Sequence, residues 1–187
     1  MAGEPARKSA TYEDIAALPS NVVGEILFGT LHVSPRPASP HGSASSALQE
    51  ELGPPFKRGR GGPGGWVILS EQEVHLGADV LVPDLAGWRR ERLPERPETP
   101  AFTLAPDWVA EVLSPSTAAR DRVQKMAIYA REGVAHVWLV DPLERTLEVY
   151  ELAGTAWTRV HAFAGDERVR AAPFEAIELD LAVLWAW

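Results

Sequence analysis

Residues 108–141 read WVAEVLSPSTAARDRVQKMAIYAREGVAHVWLVD, and the expected fold class follows mainly from the pattern of these residues. Residues 108–113 and 136–141 are apolar runs of strand length, and the first is interrupted by one carboxylate. Between them the sequence predicts a helix over residues 117–132, with Gly133 as its natural end. A strand, a helix and a strand in this order indicate a right-handed crossover between parallel strands.

The hydrophobic pattern predicts further strands and helices on both sides of this unit. Strands are predicted over residues 66–70, 73–76, 80–88, 146–151 and 158–163, and residues 25–33 predict two short strands that meet at Gly29. Helices are predicted over residues 11–18, 41–52 and 180–187. We therefore expect an α/β fold with a central mixed β-sheet flanked by helices, in a single domain over residues 1–187. Residues 89–106 predict a solvated loop.

The composition limits the classes of protein to consider. The chain has 187 residues, 45% of them hydrophobic, which is enough to fill one core. It has no cysteine, so disulfides, thiolate metal sites and a thiol nucleophile are excluded. Because no segment is typical of a membrane span or a secretory signal, we expect a cytoplasmic protein with no membrane partner.

The formal net charge of −8 bears on nucleic-acid binding. Proteins that bind the phosphate backbone usually carry a basic patch. Apart from Lys57, Arg58 and Arg60 beside a glycine-rich turn, the sequence shows none. This argues against tight, non-specific DNA binding by the protein alone, although a bound Mg²⁺ ion would add positive charge where a phosphate binds.

Two carboxylates interrupt apolar strands and are candidate site residues. Glu111 lies between Ala110 and Val112, and Asp84 follows Pro83, which indicates a strand edge or a bulge. Charged side chains are rarely buried unless they are paired or bind a metal. Each acid alone is most simply explained by pairing with an arginine or capping a turn. Two such acids on separate strands favour a functional site.

The predicted helix carries a polar face with Asp121, Lys125 and Tyr129 at i, i+4 and i+8. One interpretation is an exposed Asp–Lys pair worth a few tenths of a kcal/mol. The other is that Lys125 points back toward the two carboxylates.

His41 starts a predicted helix and could face such a site, although a role at the helix N-terminus is simpler. The other histidines lack zinc-ligand spacing. The tryptophans at positions 66, 88, 108, 138 and 157 are expected to pack in the core or on strands, and the two at positions 185 and 187 to dock on the body or on a second subunit.

Several of these stretches together resemble one family. They are Val82-Pro-Asp84, Glu111-Val-Leu-Ser-Pro-Ser-Thr117, Asp121-Arg-Val-Gln-Lys125, Tyr129, and the two segments Gly133-Val and Trp138-Leu-Val-Asp-Pro142. In this combination the chain resembles the Uma-two family of predicted endonucleases, which is assigned to the PD-(D/E)XK restriction-endonuclease-like superfamily. The resemblance extends from Gly24-Glu25 and His41 to the leucine-rich C-terminus.

The resemblance implies a site residue by residue. It makes Asp84 and Glu111 the metal-binding carboxylates, with Mg²⁺ or Mn²⁺ as the cofactor, and Glu25 a supporting acid. A Glu-x-Lys motif would put lysine at position 113, where this chain has Leu113. The resemblance implies that Lys125 replaces it from the neighbouring helix, so the expected catalytic set is Asp84, Glu111, Lys125 and Glu25.

Two functions from different classes follow. The first is a metal-dependent nuclease that hydrolyses phosphodiester bonds of nucleic acid, DNA in the first place. The second is a nuclease-fold module with little or no catalysis, used for binding or regulation, which the acidic charge and the leucine at position 113 favour. A glycoside hydrolase with two carboxylates is a distant third. A homodimer would let two sites act on two strands.

Overall fold

The computed structural model describes residues 9–35 and 39–186. The helices are α1 (Tyr12–Ala16), α2 (Ser39–Leu52), α3 (Ala118–Arg120), α4 (Met126–Arg131) and α5 (Ala182–Trp185), with π-helical turns at Gly53–Lys57 and Asp121–Lys125. The strands are β1 (Val22–Leu27), β2 (Thr30–Pro35), β3 (Trp66–Ser70), β4 (Val74–Leu76), β5 (Asp79–Leu81), β6 (Leu85–Arg89), β7 (Trp108–Val112), β8 (His136–Asp141), β9 (Thr146–Ala153), β10 (Ala156–Ala164), β11 (Arg168–Val169) and β12 (Leu179–Asp180).

The largest sheet has six strands in the order β10-β9-β8-β7-β6-β3. Strands β7 and β8 pair in parallel, with Trp108 opposite His136, whereas the other neighbours pair antiparallel. A helical segment connects the two parallel strands, because two parallel neighbours require a crossover connection. The predicted mixed sheet and its strand–helix–strand unit are therefore confirmed.

This connecting segment consists of α3, the π-helical turn Asp121–Lys125 and α4, which follow one another without a break over residues 118–131. Glycine comes two residues after α4, and Gly133 has a φ of 75°, which L-residues rarely adopt. The helix predicted over residues 117–132 is therefore confirmed to within one residue at each end.

One predicted strand is wrong in an informative way. Residues 80–88 form two strands, because β5 belongs to a four-stranded sheet in the order β2-β1-β5-β4 and β6 belongs to the six-stranded sheet. Pro83 lies in the break, where its missing N–H and fixed φ do not disturb a ladder. Asp84 is thereby placed at the junction of the two sheets rather than inside a strand.

The core lies on both faces of the six-stranded sheet. Strand β7 shows this by alternation: Trp108, Ala110 and Val112 belong to the apolar cluster that includes α2, and Val109 belongs to the cluster that includes α4. Period-two alternation therefore puts Glu111 on the α4 face. The prediction that tryptophans pack in the core is confirmed for those at positions 66, 88, 108 and 138, which are all buried.

Three other regions differ from the expectations. The loop over residues 89–106 is not wholly solvated, because Phe102 is buried and stacks on Trp88 with the ring centroids 4.7 Å apart. The short pair β11–β12 shows too weak a pattern to be predicted from sequence. The helix predicted over residues 180–187 is shortened to α5, and Trp187 lies outside the described residues.

Within residues 9–35 and 39–186, no helix has the length and apolar character needed to span a bilayer.

Candidate active site

A cavity of about 340 Å³ lies where the β5–β6 junction, the end of β7 and the helical segment over residues 118–131 meet. Its charged lining is mainly acidic. The lining carboxylates are Glu25, Glu71, Asp84, Glu111 and Asp121, the permanent cations are Arg120 and Lys125, and His41 also lines it. Five carboxylates and two permanent cations leave a formal excess of three negative charges among the described lining residues when the histidine is neutral.

Lys125 is the centre of the ionic network in this cavity. Its Nζ lies 2.9 Å from Glu25 Oε1, 3.0 Å from Glu111 Oε2 and 3.5 Å from Asp121 Oδ1. An ammonium group has three N–H donors, so these three acids match its donor capacity. Asp121 and Lys125 are buried, and the interpretation of the pair as an exposed surface interaction is therefore wrong.

Glu111 is held at both oxygens by the helical segment. Lys125 donates to Oε2, and the Tyr129 hydroxyl donates to Oε1 at 2.5 Å. Only 1% of Glu111 is exposed. The i, i+4, i+8 spacing read from the sequence thus brings Lys125 and Tyr129 onto one side of the helix, where both meet the carboxylate of β7.

Burial and neighbouring charges shift the protonation of this group. Burial raises the pKa of Glu111, Lys125 lowers it, and three further acids raise it again, so the pKa lies well above its ordinary value. These further acids are Asp121, Asp84 and Glu25. For Lys125, burial lowers the pKa, but the surrounding carboxylates raise it more, and its pKa is also well above the ordinary value. The cavity therefore favours the protonated form of both groups.

Asp84 joins the junction of the two sheets to β7. Its Oδ2 accepts a hydrogen bond from the backbone N–H of Val112 at 2.6 Å. Because Val112 directly follows Glu111, this bond fixes Asp84 beside the end of the strand that carries the other predicted metal ligand. Both acids line the same cavity, together with Lys125 and Glu25.

Glu25 has a supporting position on β1. One of its oxygens, Oε1, accepts a hydrogen bond from the backbone N–H of Val82 at 2.9 Å and also lies 2.9 Å from Lys125 Nζ. The buried acid therefore ties the start of the β5–β6 junction to the helical segment. All four residues of the predicted catalytic set are thus neighbours in the structure.

His41 is a cavity residue that the sequence indicated only weakly. It lies in the first turn of α2, as expected, but its Nε2 is 3.2 Å from Asp84 Oδ1 and its buried Nδ1 meets no partner among the described residues. Burial lowers the pKa of His41, whereas its hydrogen bond to Asp84 and the nearby acids raise it, and the net shift is upward. Its signals in the sequence were its position at a predicted helix start and the extent of the family resemblance.

Arg120 was missed by sequence reasoning altogether. This arginine of α3 donates from Nη2 to Ser34 Oγ at 2.9 Å, and the same nitrogen lies 3.8 Å from Glu25 Oε2. Its Nε is buried with no partner among the described residues. No local pattern signals this residue, because both of its contacts come from β1 and β2, far away along the chain.

The donors of the cavity suit a hard divalent cation only in part. Within the described residues, no group of three or more histidine, aspartate or glutamate side chains is arranged to hold a metal ion. Mg²⁺, however, takes oxygen ligands and keeps several waters, so one or two carboxylates are sufficient. Each carboxylate has about four lone-pair sites, so Asp84 and Glu111 keep acceptor capacity beside their present bonds. The excess of negative charge and the raised pKa of Glu111 also fit a cation.

Comparison with known proteins supports the same family as the motifs. Residues 10–183 match the model of the Uma2 family, described as "Putative restriction endonuclease". The fold is similar to a crystal structure of "a putative nuclease belonging to DUF820" from Anabaena variabilis ATCC 29413, with a TM-score of 0.76, 23% sequence identity and coverage of 94% of this chain and 97% of that chain. No curated protein matches significantly. Because the family model covers nearly the whole chain, the resemblance seen in the sequence is confirmed, and the chain belongs to the Uma2 family.

Proposed function

We propose that this protein is a metal-dependent nuclease that hydrolyses phosphodiester bonds of DNA. The observation that carries the proposal is the meeting of Asp84, Glu111 and Lys125 in one cavity, since two acids and a lysine are the parts that metal-assisted phosphodiester hydrolysis needs. The family description and the fold support a nuclease in general. The metal, the DNA substrate and the residue roles are our proposal.

In the proposed site, Asp84 and Glu111 would hold Mg²⁺ or Mn²⁺, with a backbone carbonyl such as that of Val112 as a further oxygen ligand. When bound, such an ion would act as a Lewis acid toward the phosphodiester and lower the pKa of a bound water. Lys125 orients the attacking water or stabilises charge on the phosphate, and it can exchange its longest contact, 3.5 Å to Asp121, for that purpose. Glu25 holds Lys125 in place.

The charge of the cavity supports a requirement for metal. A phosphodiester carries a negative charge, and the described lining already has three more carboxylates than permanent cations. Without a cation, the phosphate would be repelled by the acids that line the site. Restriction-endonuclease-like families usually use divalent metals, which agrees with this physical argument.

The test is cleavage of supercoiled plasmid by the purified chain in Mn²⁺ at low salt, where screening weakens phosphate binding least. We expect nicked and linear products that disappear when the metal is chelated and when Asp84 is replaced by alanine. Asp166→Ala is the matched control, because Asp166 is an exposed acid that pairs with Arg145 outside the cavity. The proposal is wrong if wild type cleaves neither DNA nor RNA above the level of Asp84→Ala. Cleavage of RNA alone would change only the substrate.

The second candidate function is a nuclease-fold module that binds or regulates without cleaving. One specific observation favours it: both oxygens of Glu111 accept hydrogen bonds inside the protein and three carboxylates surround the ammonium group of Lys125, as in a structural ion-pair network. Binding of a labelled oligonucleotide without cleavage in Mg²⁺ or Mn²⁺ would support this function over the nuclease.

We also propose that the protein acts in the cytoplasm and without a membrane partner. A homodimer would let two cavities act on the two strands of a duplex. Sedimentation of the purified chain with and without a short duplex would show whether two copies assemble, and a monomer that still cuts both strands would argue against the dimer.

A further inference from the structure

The two permanent cations of the cavity differ in how many donors they have available. Lys125 has three acids within 3.5 Å of its ammonium nitrogen, and it is buried. To donate to a substrate phosphate, this group would have to give up one of its carboxylates. Lys125 is therefore well placed to organise the acids and poorly placed to capture an incoming anion.

Arg120 is in the opposite situation. A guanidinium has five N–H donors, and among the described residues only Nη2 has a hydrogen-bond acceptor, the hydroxyl of Ser34. The Glu25 oxygen at 3.8 Å is beyond hydrogen-bond distance. The side chain is 15% exposed toward the cavity that it lines. This arginine therefore keeps both its charge and most of its donors for a ligand.

The buried Nε of Arg120 gives a second reason to expect an acceptor. Leaving a buried donor without a partner is costly, so such atoms are rare in folded proteins. A small rotation of the guanidinium plane would allow Nε and one Nη to bind two oxygens of one phosphate, the bidentate geometry in which arginine surpasses lysine. The oxygens of a phosphate in the cavity would satisfy this donor.

We propose that Arg120 binds a phosphate of the nucleic-acid strand in this cavity, a role that rests on the proposed function and separates substrate capture from the chemistry assigned to Lys125. The ligand class is a phosphodiester. The guanidinium is held at the cavity wall by Ser34 of β2 and stands beside Glu25, so the strand backbone would enter between β2 and the helical segment over residues 118–131. Arg120 is a binding residue in this proposal and takes no proton.

The experiment measures binding of a short fluorescein-labelled single-stranded oligodeoxynucleotide by anisotropy in Ca²⁺, with a gel to verify that the probe stays intact. We expect Arg120→Gln to raise Kd at least about tenfold, the effect of losing one charge-assisted contact. Arg120→Lys keeps the charge without the planar fork, and we expect an intermediate Kd. Arg122→Gln is the matched control, because this neighbour pairs with Glu148 outside the cavity and should leave Kd close to wild type.

Salt dependence separates a phosphate contact from a structural effect. Each phosphate contact with a single strand contributes about 0.7 to the slope of log Kd against log salt concentration. We expect Arg120→Gln to lower that slope by about this amount, and Arg120→Lys and Arg122→Gln to keep the wild-type slope. A loss of affinity in Arg120→Gln with an unchanged slope would overturn the proposal, and so would a wild-type Kd.

Cleavage kinetics in Mn²⁺ distinguish failure of this proposal from failure of the nuclease. A residue that only binds substrate should raise KM and leave kcat nearly unchanged when it is replaced. If wild type cleaves and Arg120→Gln has the wild-type KM, the nuclease stands and the role of Arg120 is wrong. If wild type binds the probe through Arg120 but never cleaves it, the binding role stands and the nuclease is wrong.

Discussion

The ammonium nitrogen of Lys125 lies 3.0 Å from Oε2 of Glu111, although the lysine is on a π-helical turn and the glutamate is on β7. The position two residues after the glutamate, where a Glu-x-Lys motif has its lysine, is occupied by Leu113, which is buried in the apolar cluster on the α4 side of the sheet. A charged group at that position would face apolar neighbours. The acid–lysine pair is therefore formed across two elements instead of along one strand.

The first prediction concerns metal-linked stability. An ion that binds only the native state raises the free energy of unfolding, and the increase grows with the logarithm of the ratio of ion concentration to Kd. The melting temperature in Mg²⁺ or Mn²⁺ should therefore exceed that in EDTA. Glu111→Gln should remove most of this increase, because an amide is a weaker ligand than a carboxylate. Differential scanning fluorimetry across a metal titration measures it. Glu148→Gln is the control, since Glu148 lies outside the cavity, and an unchanged metal response in Glu111→Gln would place the ion elsewhere.

The second prediction concerns Lys125. Its removal leaves Glu25 and Glu111 buried without their cation, so Lys125→Ala should lower the free energy of unfolding by about 3–5 kcal/mol. It should also lower kcat by about 10²–10³, the usual effect of removing a group that stabilises the transition state. Urea unfolding and plasmid cleavage measure the two effects.

A double variant separates these two effects. Lys125→Met combined with Glu111→Gln removes a cation and an anion together and should recover part of the lost stability, but no activity. Arg168→Ala, at an exposed arginine of β11 outside the cavity, should change neither quantity. Full cleavage activity in Lys125→Ala would show that the lysine of the helical segment does not replace the missing lysine at position 113.

The third prediction is a dependence of stability on pH. The pKa values of Glu111, Asp121 and His41 are all raised in the folded protein, by burial for the two acids and by Asp84 and other acids for the histidine. The folded state therefore binds more protons than the unfolded state, and these groups contribute stability that decreases as the pH rises above their ordinary values. For Glu111 the decrease begins near its ordinary value of 4.5 and continues as the pH rises through its raised pKa in the folded state.

Glu111→Gln tests this directly, because the amide stays neutral at every pH. In EDTA, the melting temperature of the variant relative to wild type should rise as the pH increases from about 4.5 toward neutral. Comparing the two proteins at each pH cancels the contribution to stability of groups with the opposite effect. Glu148 is such a group, because burial raises its pKa but Arg122 and the other groups that hydrogen-bond to it lower it more. A difference that stays constant with pH would contradict the raised pKa.

The fourth prediction concerns His41. If Asp84 binds the metal, the histidine that contacts its other oxygen orients this ligand, and such partners typically change metal affinity or activity 10–100-fold. We expect His41→Ala to raise the Mn²⁺ concentration needed for half-maximal cleavage by about that factor. His161→Ala, an exposed histidine of β10, is the control. Equal metal dependence in wild type and His41→Ala would make the histidine a structural residue of α2.

Local patterns in the sequence predicted the parts of the fold that depend on local interactions. The apolar runs of β7 and β8 and the helix between them follow from periodicity and from Gly133, and the parallel pairing follows from the crossover they require. Glu111 was noticeable because a carboxylate inside an apolar strand needs a partner. The spacing of Lys125 and Tyr129 placed both partners on one helix face, where the structure has them.

Residues 80–88 show a feature that the hydrophobic pattern could not predict. Their apolar pattern is continuous, so the sequence predicted one strand, whereas β5 and β6 pair with different neighbours in different sheets. The choice of partner strand depends on contacts between segments far apart along the chain, and hydrophobic periodicity carries no information about such contacts. Phe102 is similar, because its polar surroundings in sequence predict solvent, whereas contacts with Trp88 and a β-bridge to Val74 bury it.

Sequence patterns were sufficient for the family, the central strand–helix–strand unit and the two acids that need an explanation. The folded structure was needed to show that His41 meets Asp84, that Lys125 is surrounded by three acids, and that Arg120 keeps most of its donors at the cavity wall. The physical reason is that a charged side chain is defined by its partners, and here the partners come from β1, β2, β7 and α2, which are brought together only when the core between them is packed.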